Sequence, residues 1–143
     1  MGRFGLRRRA EARGAAAVEF ALLLPLLMVI VFGIIDYGDM LSVRQSVSQA
    51  AAEGARAAAV SQAGTDADKT AAAASAVTDA LASQHHTCKT GASGCKNEII
   101  NCPNDATKKC ARVKVVIDYS ALVPGFGLVL PSTLSYTAVA RVS

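Results

Sequence analysis

A single acidic side chain, Glu19, lies inside the longest apolar stretch of the sequence. An ionised carboxylate in the hydrocarbon core of a membrane costs on the order of 2.5 kcal/mol or more, so it is kept there only where something neutralises or solvates it. One interpretation places Glu19 in the first turn of a helix, at a membrane interface, where water and the positive end of the helix dipole stabilise it. The other interpretation pairs the carboxylate with an ammonium group of a neighbouring subunit.

The position of Gly14 suggests a source for that ammonium group. If the chain were cut after Gly14, Ala15 would carry a new amino terminus four residues before Glu19. Inside a helical bundle, this terminus could neutralise the carboxylate of another subunit, and the charge pair would set the axial stagger between the packed helices. The sequence therefore marks Gly14 and Ala15 as candidate processing residues and Glu19 as a candidate subunit contact.

All four cysteines fall in one polar, loop-rich stretch with the spacing C-x6-C-x6-C-x7-C. Disulfides persist outside the cytoplasm, where the charge pattern of the chain places this stretch, and four cysteines allow three pairings. We favour Cys88–Cys95 together with Cys102–Cys110, because each of these bonds closes a short polar loop. The second bond would join the two ends of a hairpin around Pro103-Asn104-Asp105.

The neighbouring pair His85 and His86 makes zinc binding the rival interpretation of these cysteines. Structural zinc sites usually contain tight C-x2–4-C knuckles, and the cysteine spacing here is wider. The two histidines are better explained as a solvated loop pair, so the sequence predicts no metal site and no cofactor.

The element that positions Glu19 is the apolar run from Ala15 to Ile35, in which Glu19 is the only charged residue. A helix of that length spans roughly 30 Å, about the thickness of one hydrocarbon core. A cleavable signal sequence has a shorter apolar region of about 7–15 residues, followed by a small-x-small site, whereas this run continues into the polar sequence DYGD. The pattern predicts a transmembrane helix at residues 15–35, kinked or loosened at Pro25.

Charges on either side of this span predict its orientation. Only one acidic residue, Glu11, opposes the arginines that precede Gly14, which are Arg3, Arg7, Arg8, Arg9 and Arg13. By the positive-inside rule, residues 1–14 form a basic cytoplasmic leader and residues 36–143 form an extracytoplasmic domain. The rest of the chain carries no net charge, so the basic pI belongs to the leader and does not indicate nucleic-acid binding.

The region after the span predicts an α+β domain. The long helix should continue to about residue 62, because small and apolar residues recur every three or four positions and form one stripe: Met40, Val43, Val47, Ala50, Gly54 and Ala57. We expect this stripe to pack against the C-terminal half of the same chain, with a partner helix as the alternative. A short helix from about residue 67 to 83 should follow, with Thr65 or Asp66 as its cap.

Alternating apolar residues predict strands at residues 111–119 and 133–142, and a shorter one at 97–100. Together they would form a small antiparallel sheet packed on the long helix. In the last strand, one face carries Leu134, Tyr136, Ala138 and Ala140. The connection at residues 122–131 is rich in apolar residues, and it is either a contact surface or a segment that rests near the membrane.

These features resemble the TadE-like family of the tight-adherence (Flp) pilus system. The similarity lies in RGAAAVEFALLLPLL from residue 13, FGIIDYG from residue 32 and QAAAEGAR from residue 49, so the motif region is about 14–56. The resemblance implies a pseudopilin that a prepilin peptidase cuts between Gly14 and Ala15, with Glu19 and Phe20 as the Glu-Phe pair of the processing and packing motif. It also implies other pilins or pseudopilins of the same system as partners, in addition to the lipid bilayer.

Two functions of different kinds are compatible with these patterns. The first is a single-pass pseudopilin or minor pilin of the cytoplasmic (inner) membrane, which assists assembly of Flp pili or joins the pilus. The alternative is an anchored extracytoplasmic binding or adhesion domain that is never cut. An enzyme is not expected, since the sequence has no nucleophile motif, no Gly-rich phosphate loop and no paired carboxylates near a histidine.

Overall fold

The computed structural model describes the backbone of residues 4–62 and 64–142, and the side chains of residues 14–62 and 64–142. In chain order, its elements are helix α1 (Phe4–Val60), helix α2 (Asp66–Ala82), strand β1 (Lys96–Cys102), strand β2 (Asp105–Asp118), a 3₁₀ turn (Phe126–Leu128) and strand β3 (Thr133–Arg141). This is the expected α+β arrangement of one long helix, one short helix and a small antiparallel sheet. The arginine side chains of the predicted leader lie outside the described residues.

Helix α1 is a single element of 57 residues that continues through Pro25. From residue 14 to residue 35 every side chain is exposed except at Gly33, which is partly buried. The pattern changes at Asp36, because from there on buried positions recur every three or four residues. Residues 14–35 of α1 are therefore exposed almost throughout, and from Asp36 onward the helix is part of a folded core.

The second half of α1 packs against α2 and the sheet. The predicted stripe is buried from Met40 to Gly54, and Ala57 at its end is partly buried. Ala51, Ala55 and Ala58 widen the buried face. The chain's own α2 and strands cover this face, so the expectation of packing within one chain is confirmed.

Gly54 marks the closest approach between these elements. A Cβ atom added there would lie 2.5 Å from Cγ2 of Val77 in α2 and 3.1 Å from Cγ1 of Val113 in β2. Nonbonded carbon atoms pack at about 3.5–4.0 Å. A residue without a side chain is therefore required for the two helices and the sheet to meet at this level.

Helix α2 begins and ends at identifiable caps. The Thr65 hydroxyl accepts a hydrogen bond from the amide of Asp68 at 3.1 Å, which confirms Thr65 as the N-cap. Its buried positions, Ala73, Val77 and Leu81, are spaced by one helical turn and face the core. After the last turn the backbone reverses at His85, whose φ is +59°.

The three strands form an antiparallel sheet in the order β1-β2-β3. The central strand buries Val113, Val115 and Ile117 on the face that packs against the helices, as the alternation predicted. Across from it, Leu134 is buried, but Tyr136 remains 47% exposed. The face of β3 that carries Leu134 and Tyr136 is therefore only partly covered, because β3 is an edge strand of the sheet.

Strand β2 begins at Asp105, six residues before the start that the alternation predicted. Residues 105–109 were expected to be loop, yet they form part of β2, and Lys109 pairs with Asn101 of β1. Side chains 106–109 are all exposed. A strand with both faces in water carries no apolar alternation, and this is why the pattern missed it.

Candidate functional site

The apolar first half of α1 is the first feature that bears on function. Leu22 is 74% exposed and Ile34 is 68% exposed, in a helix where such side chains have no protein neighbour to bury them. The described helix is long and apolar enough to cross a membrane. In a bilayer these side chains would face lipid, which removes the cost of exposing them to water.

The candidate processing motif lies at the beginning of this exposed stretch. Gly14, Ala15, Glu19 and Phe20 are all helical and exposed. Nothing lies within 4 Å of a Cβ built at Gly14, so the motif is not shielded by the rest of the described structure. Among the described side chains, Glu19 forms no salt bridge.

We call the packed part of the structure, residues 36–62 and 64–142, the head. Asp36 joins the apolar segment to this head, and it is completely buried. Its Oδ1 atom accepts hydrogen bonds from the backbone amides of Leu122, at 2.8 Å, and of Val123, at 3.1 Å. Its Oδ2 atom is buried without a hydrogen-bond partner among the described residues. One carboxylate on α1 thus holds the beginning of the loop that connects β2 to β3.

Tyr119 makes a second polar connection at the same junction. Its hydroxyl donates to the Asp39 carboxylate at 3.1 Å and lies 3.3 Å from the carbonyl oxygen of Asp36. Burial raises the pKa of Tyr119 to about 12, and the hydrogen bond to Asp39 together with the charges of Asp39 and Asp36 acts in the same direction. At neutral pH the hydroxyl therefore stays protonated and remains a donor.

An aromatic contact completes the junction on the N-terminal side of Asp36. A Cβ atom built at Gly33 would lie 3.3 Å from Cε1 of Phe126, so the Phe126 ring rests directly on the helix backbone. We call residues 122–130 the junction loop. Next to Phe126, the loop leaves Leu128 at 93% and Val129 at 84% exposed.

The role of Asp36 was missed at the sequence level, where it was taken only as part of the polar flank of the span. A signal for it was present. Asp36 lies four residues before Met40, in phase with the stripe that continues through Val43 and Val47. A polar residue in phase with a buried stripe predicts a buried, hydrogen-bonded side chain, and the partner could not be identified without the fold.

The cysteines form the two pairs that the sequence analysis favoured, Cys88–Cys95 and Cys102–Cys110. No free cysteine is found in the described chain, so none of the four presents a thiolate to a metal. The turn between β1 and β2 lies at residues 103–104, inside the loop that the second bond closes.

The two histidines have a backbone role at the end of α2. The amide of His85 donates to the carbonyl oxygen of Ala82 at 3.0 Å, and the amide of His86 donates to that of Leu81 at 2.9 Å. This pair of bonds around a residue with positive φ is a Schellman motif. Within the described residues there is no group of three or more His, Cys, Asp or Glu side chains that could hold a metal ion.

The geometry defines a long helix that is apolar at residues 15–35, exposed there apart from Gly33, and packed from Asp36 onward into a small α+β head. Residues 14–56 match the model of a protein family described as TadE-like protein, which confirms the resemblance over the span, the Asp36 junction and the stripe as far as Arg56. No curated protein and no solved structure matches the chain. The family match and the apolar helix fit a membrane protein related to pilus assembly.

Proposed function

We propose that this protein is a single-pass pseudopilin or minor pilin that assists assembly of a Flp-type pilus. In this proposal the apolar part of α1 crosses the cytoplasmic membrane, with the leader in the cytoplasm and the head outside. A prepilin peptidase removes residues 1–14. The new amino terminus at Ala15 then contacts the Glu19 carboxylate of a neighbouring subunit.

The observation that carries this proposal is the isolation of Glu19 on an exposed helix. Its carboxylate has no cationic partner among the described side chains, and it stands on a helical surface that is otherwise apolar from residue 15 to residue 35. A charge in that setting is stabilised when a neighbour supplies the opposite charge. The match of the TadE-like family model to this same segment supports pilus components as the neighbours.

The proposal is tested first by the chemical state of the chain in its native host. Intact mass and N-terminal sequencing should find a mature chain that begins at Ala15. Recovery of the whole chain from Met1, in cells that possess the peptidase, would contradict processing and favour the alternative of an anchored, uncut binding or adhesion domain.

A pair of glycine variants makes the test specific. Gly14→Val should block cutting, whereas Gly38→Val should be cut normally. Both glycines are exposed positions in α1, and nothing lies within 4 Å of a Cβ built at either one. The two substitutions therefore change helix propensity in the same direction, and a difference in cutting reports on the processing position.

A further inference from the structure

The junction loop is an apolar surface that the head leaves uncovered. Leu122 is 62% exposed, Leu128 is 93% exposed and Val129 is 84% exposed. No Asp, Glu, Lys or Arg occurs between Asp118 and Arg141. Loops at the surface of a head in water normally carry polar side chains, so the composition of this loop calls for an apolar environment.

The contact between Phe126 and Gly33 fixes the level of the loop along α1. Gly33 lies two residues before Ile35, the end of the predicted span, which corresponds to about 3 Å along the helix axis. The Phe126 ring touches the helix there, and Leu128 and Val129 follow it directly. The exposed side chains Leu128 and Val129 therefore begin two residues after a ring that contacts the end of the span.

Several backbone amides of the junction loop donate hydrogen bonds within the protein, as they must where little water is available. The amides of Leu122 and Val123 donate to the buried Asp36 carboxylate. The amides of Val129 and Leu130 both donate to the carbonyl oxygen of Phe126, at 2.9 Å and 3.0 Å. Irregular backbone is tolerated near lipid only where its polar groups are satisfied within the protein.

We propose that the junction loop is a membrane-contacting surface, and that Leu122, Leu128 and Val129 enter the interface of the leaflet in which the span ends. This rests on the membrane anchoring in the proposed function. The head would then be held by two attachments, the span and the loop, with Asp36 between them. Such a contact fixes the tilt of the head on the membrane and adds apolar area that must leave the lipid whenever the subunit is withdrawn.

The chain contains no tryptophan, so single-tryptophan variants of the full-length protein can measure this contact. We would reconstitute Leu128→Trp in phosphatidylcholine vesicles whose acyl chains are brominated near the headgroup. Leu23→Trp lies near the middle of the predicted span and reports on the span in a second set of vesicles, whose acyl chains are brominated near their terminal methyl groups. Val60→Trp is the matched control, because it is also an exposed apolar position, 69% exposed, on the same helix and about 40 Å beyond Gly33.

The expected result is strong quenching of Leu128→Trp by the brominated lipid, accompanied by a blue-shifted emission, and no quenching of Val60→Trp. If Leu23→Trp is quenched but Leu128→Trp is not, the loop proposal is overturned while the anchoring stands. A blue-shifted Leu128→Trp without quenching would overturn it in favour of a protein that covers the loop. Absence of quenching at Leu23→Trp would overturn the anchoring itself, and the loop proposal with it.

Discussion

Asp36 and Leu122 are 86 positions apart in the chain, and the carboxylate of the first accepts a hydrogen bond from the amide of the second at 2.8 Å. Asp36 is the first buried residue of α1 after its exposed apolar segment, and Leu122 is the first residue of the junction loop. The bond therefore connects α1 to the start of this loop. A buried hydrogen bond to a charged acceptor contributes about 1.5–3 kcal/mol to folding. This one connects two ends of the head that are distant in sequence, so it bears on both stability and loop position.

Two substitutions of Asp36 should show whether its role as a hydrogen-bond acceptor or its negative charge stabilises the fold. Asp36→Ala leaves the Leu122 and Val123 amides buried without an acceptor, and we expect a loss of about 2 kcal/mol in the free energy of unfolding of the detergent-solubilised protein. Asp36→Asn should cost less than Asp36→Ala, because the amide oxygen can replace Oδ1 as the acceptor, although its NH2 group then occupies the Oδ2 position, where the described residues offer no acceptor. Chemical denaturation measures both. Equal losses in the two variants would mean that the charge, and not the acceptor, matters.

Tyr119 should make the stability of the fold depend on pH in the alkaline range. Its pKa is raised to about 12 in the folded state, against about 10 in an unfolded chain. The unfolded state therefore loses its proton first, so the stability from this group is complete below pH 10 and is lost as the pH rises towards 12. Ultraviolet titration of the phenols should show one late tyrosine that Tyr119→Phe removes. Tyr136→Phe is the control, because it should leave the late step in place.

The close approach at Gly54 predicts opposite effects for two identical substitutions. Gly54→Ala places a Cβ 2.5 Å from Val77 Cγ2, and overpacking of this kind costs about 1–3 kcal/mol. Gly38→Ala meets nothing within 4 Å and should stabilise the helix by up to about 1 kcal/mol. Thermal melting of the two variants in the same detergent measures the difference. Stabilisation by both substitutions would show that the helices and the sheet can separate at Gly54 without loss.

The two disulfides should differ in their effect on stability, although they close loops of similar length. The β1–β2 ladder already holds the Cys102–Cys110 hairpin in place, whereas residues 88–95 contain no helix, and only Cys95 adjoins a strand. The Cys88–Cys95 loop is docked on β2 through the Lys89 amide, which donates to the Val116 carbonyl at 2.8 Å. We expect the double alanine variant of Cys88 and Cys95 to melt at a lower temperature than that of Cys102 and Cys110. A lower melting temperature for the Cys102 and Cys110 variant would mean that the β1–β2 hairpin depends on its disulfide.

Glu19 should matter for assembly and not for insertion. Because the helix around it is apolar and long enough to cross a membrane, Glu19→Ala should still insert. Without the carboxylate, the proposed contact with an amino terminus is lost, and pili should be absent or strongly reduced by electron microscopy. Glu19→Asp keeps the charge and is the matched control. Normal pili from Glu19→Ala would remove the assigned role of this carboxylate.

Much of the fold was accessible from periodicity. The stripe beginning at Met40, the buried spacing of Val77 and Leu81 in α2, and the alternation through Val115 each reflect one buried face of a regular element. These patterns predicted which sides would meet. They could not indicate that Gly54 is the point of closest approach, because that depends on how two helices and a sheet come together.

The features that the sequence did not reveal are an exposed polar part of β2 and the hydrogen bonds between Asp36 and a distant loop. Residues 106–109 form a strand with both faces exposed, so neither face carries an apolar signal. Asp36 is in phase with the buried stripe, but its partners are backbone amides of Leu122 and Val123, which have no side-chain signature. The sequence therefore predicted the long apolar helix, whereas the junction that ties this helix to the head required the structure, and the processing motif stays a prediction.

The continuity of α1 has a consequence for how subunits can stand side by side. At about 100° per residue, Glu19 points roughly a quarter of a revolution away from Asp36 around the common helix axis, and Asp36 points into the head. A neighbouring helix that docked at Glu19 would therefore approach α1 from a different side than the one on which Asp36 meets the head.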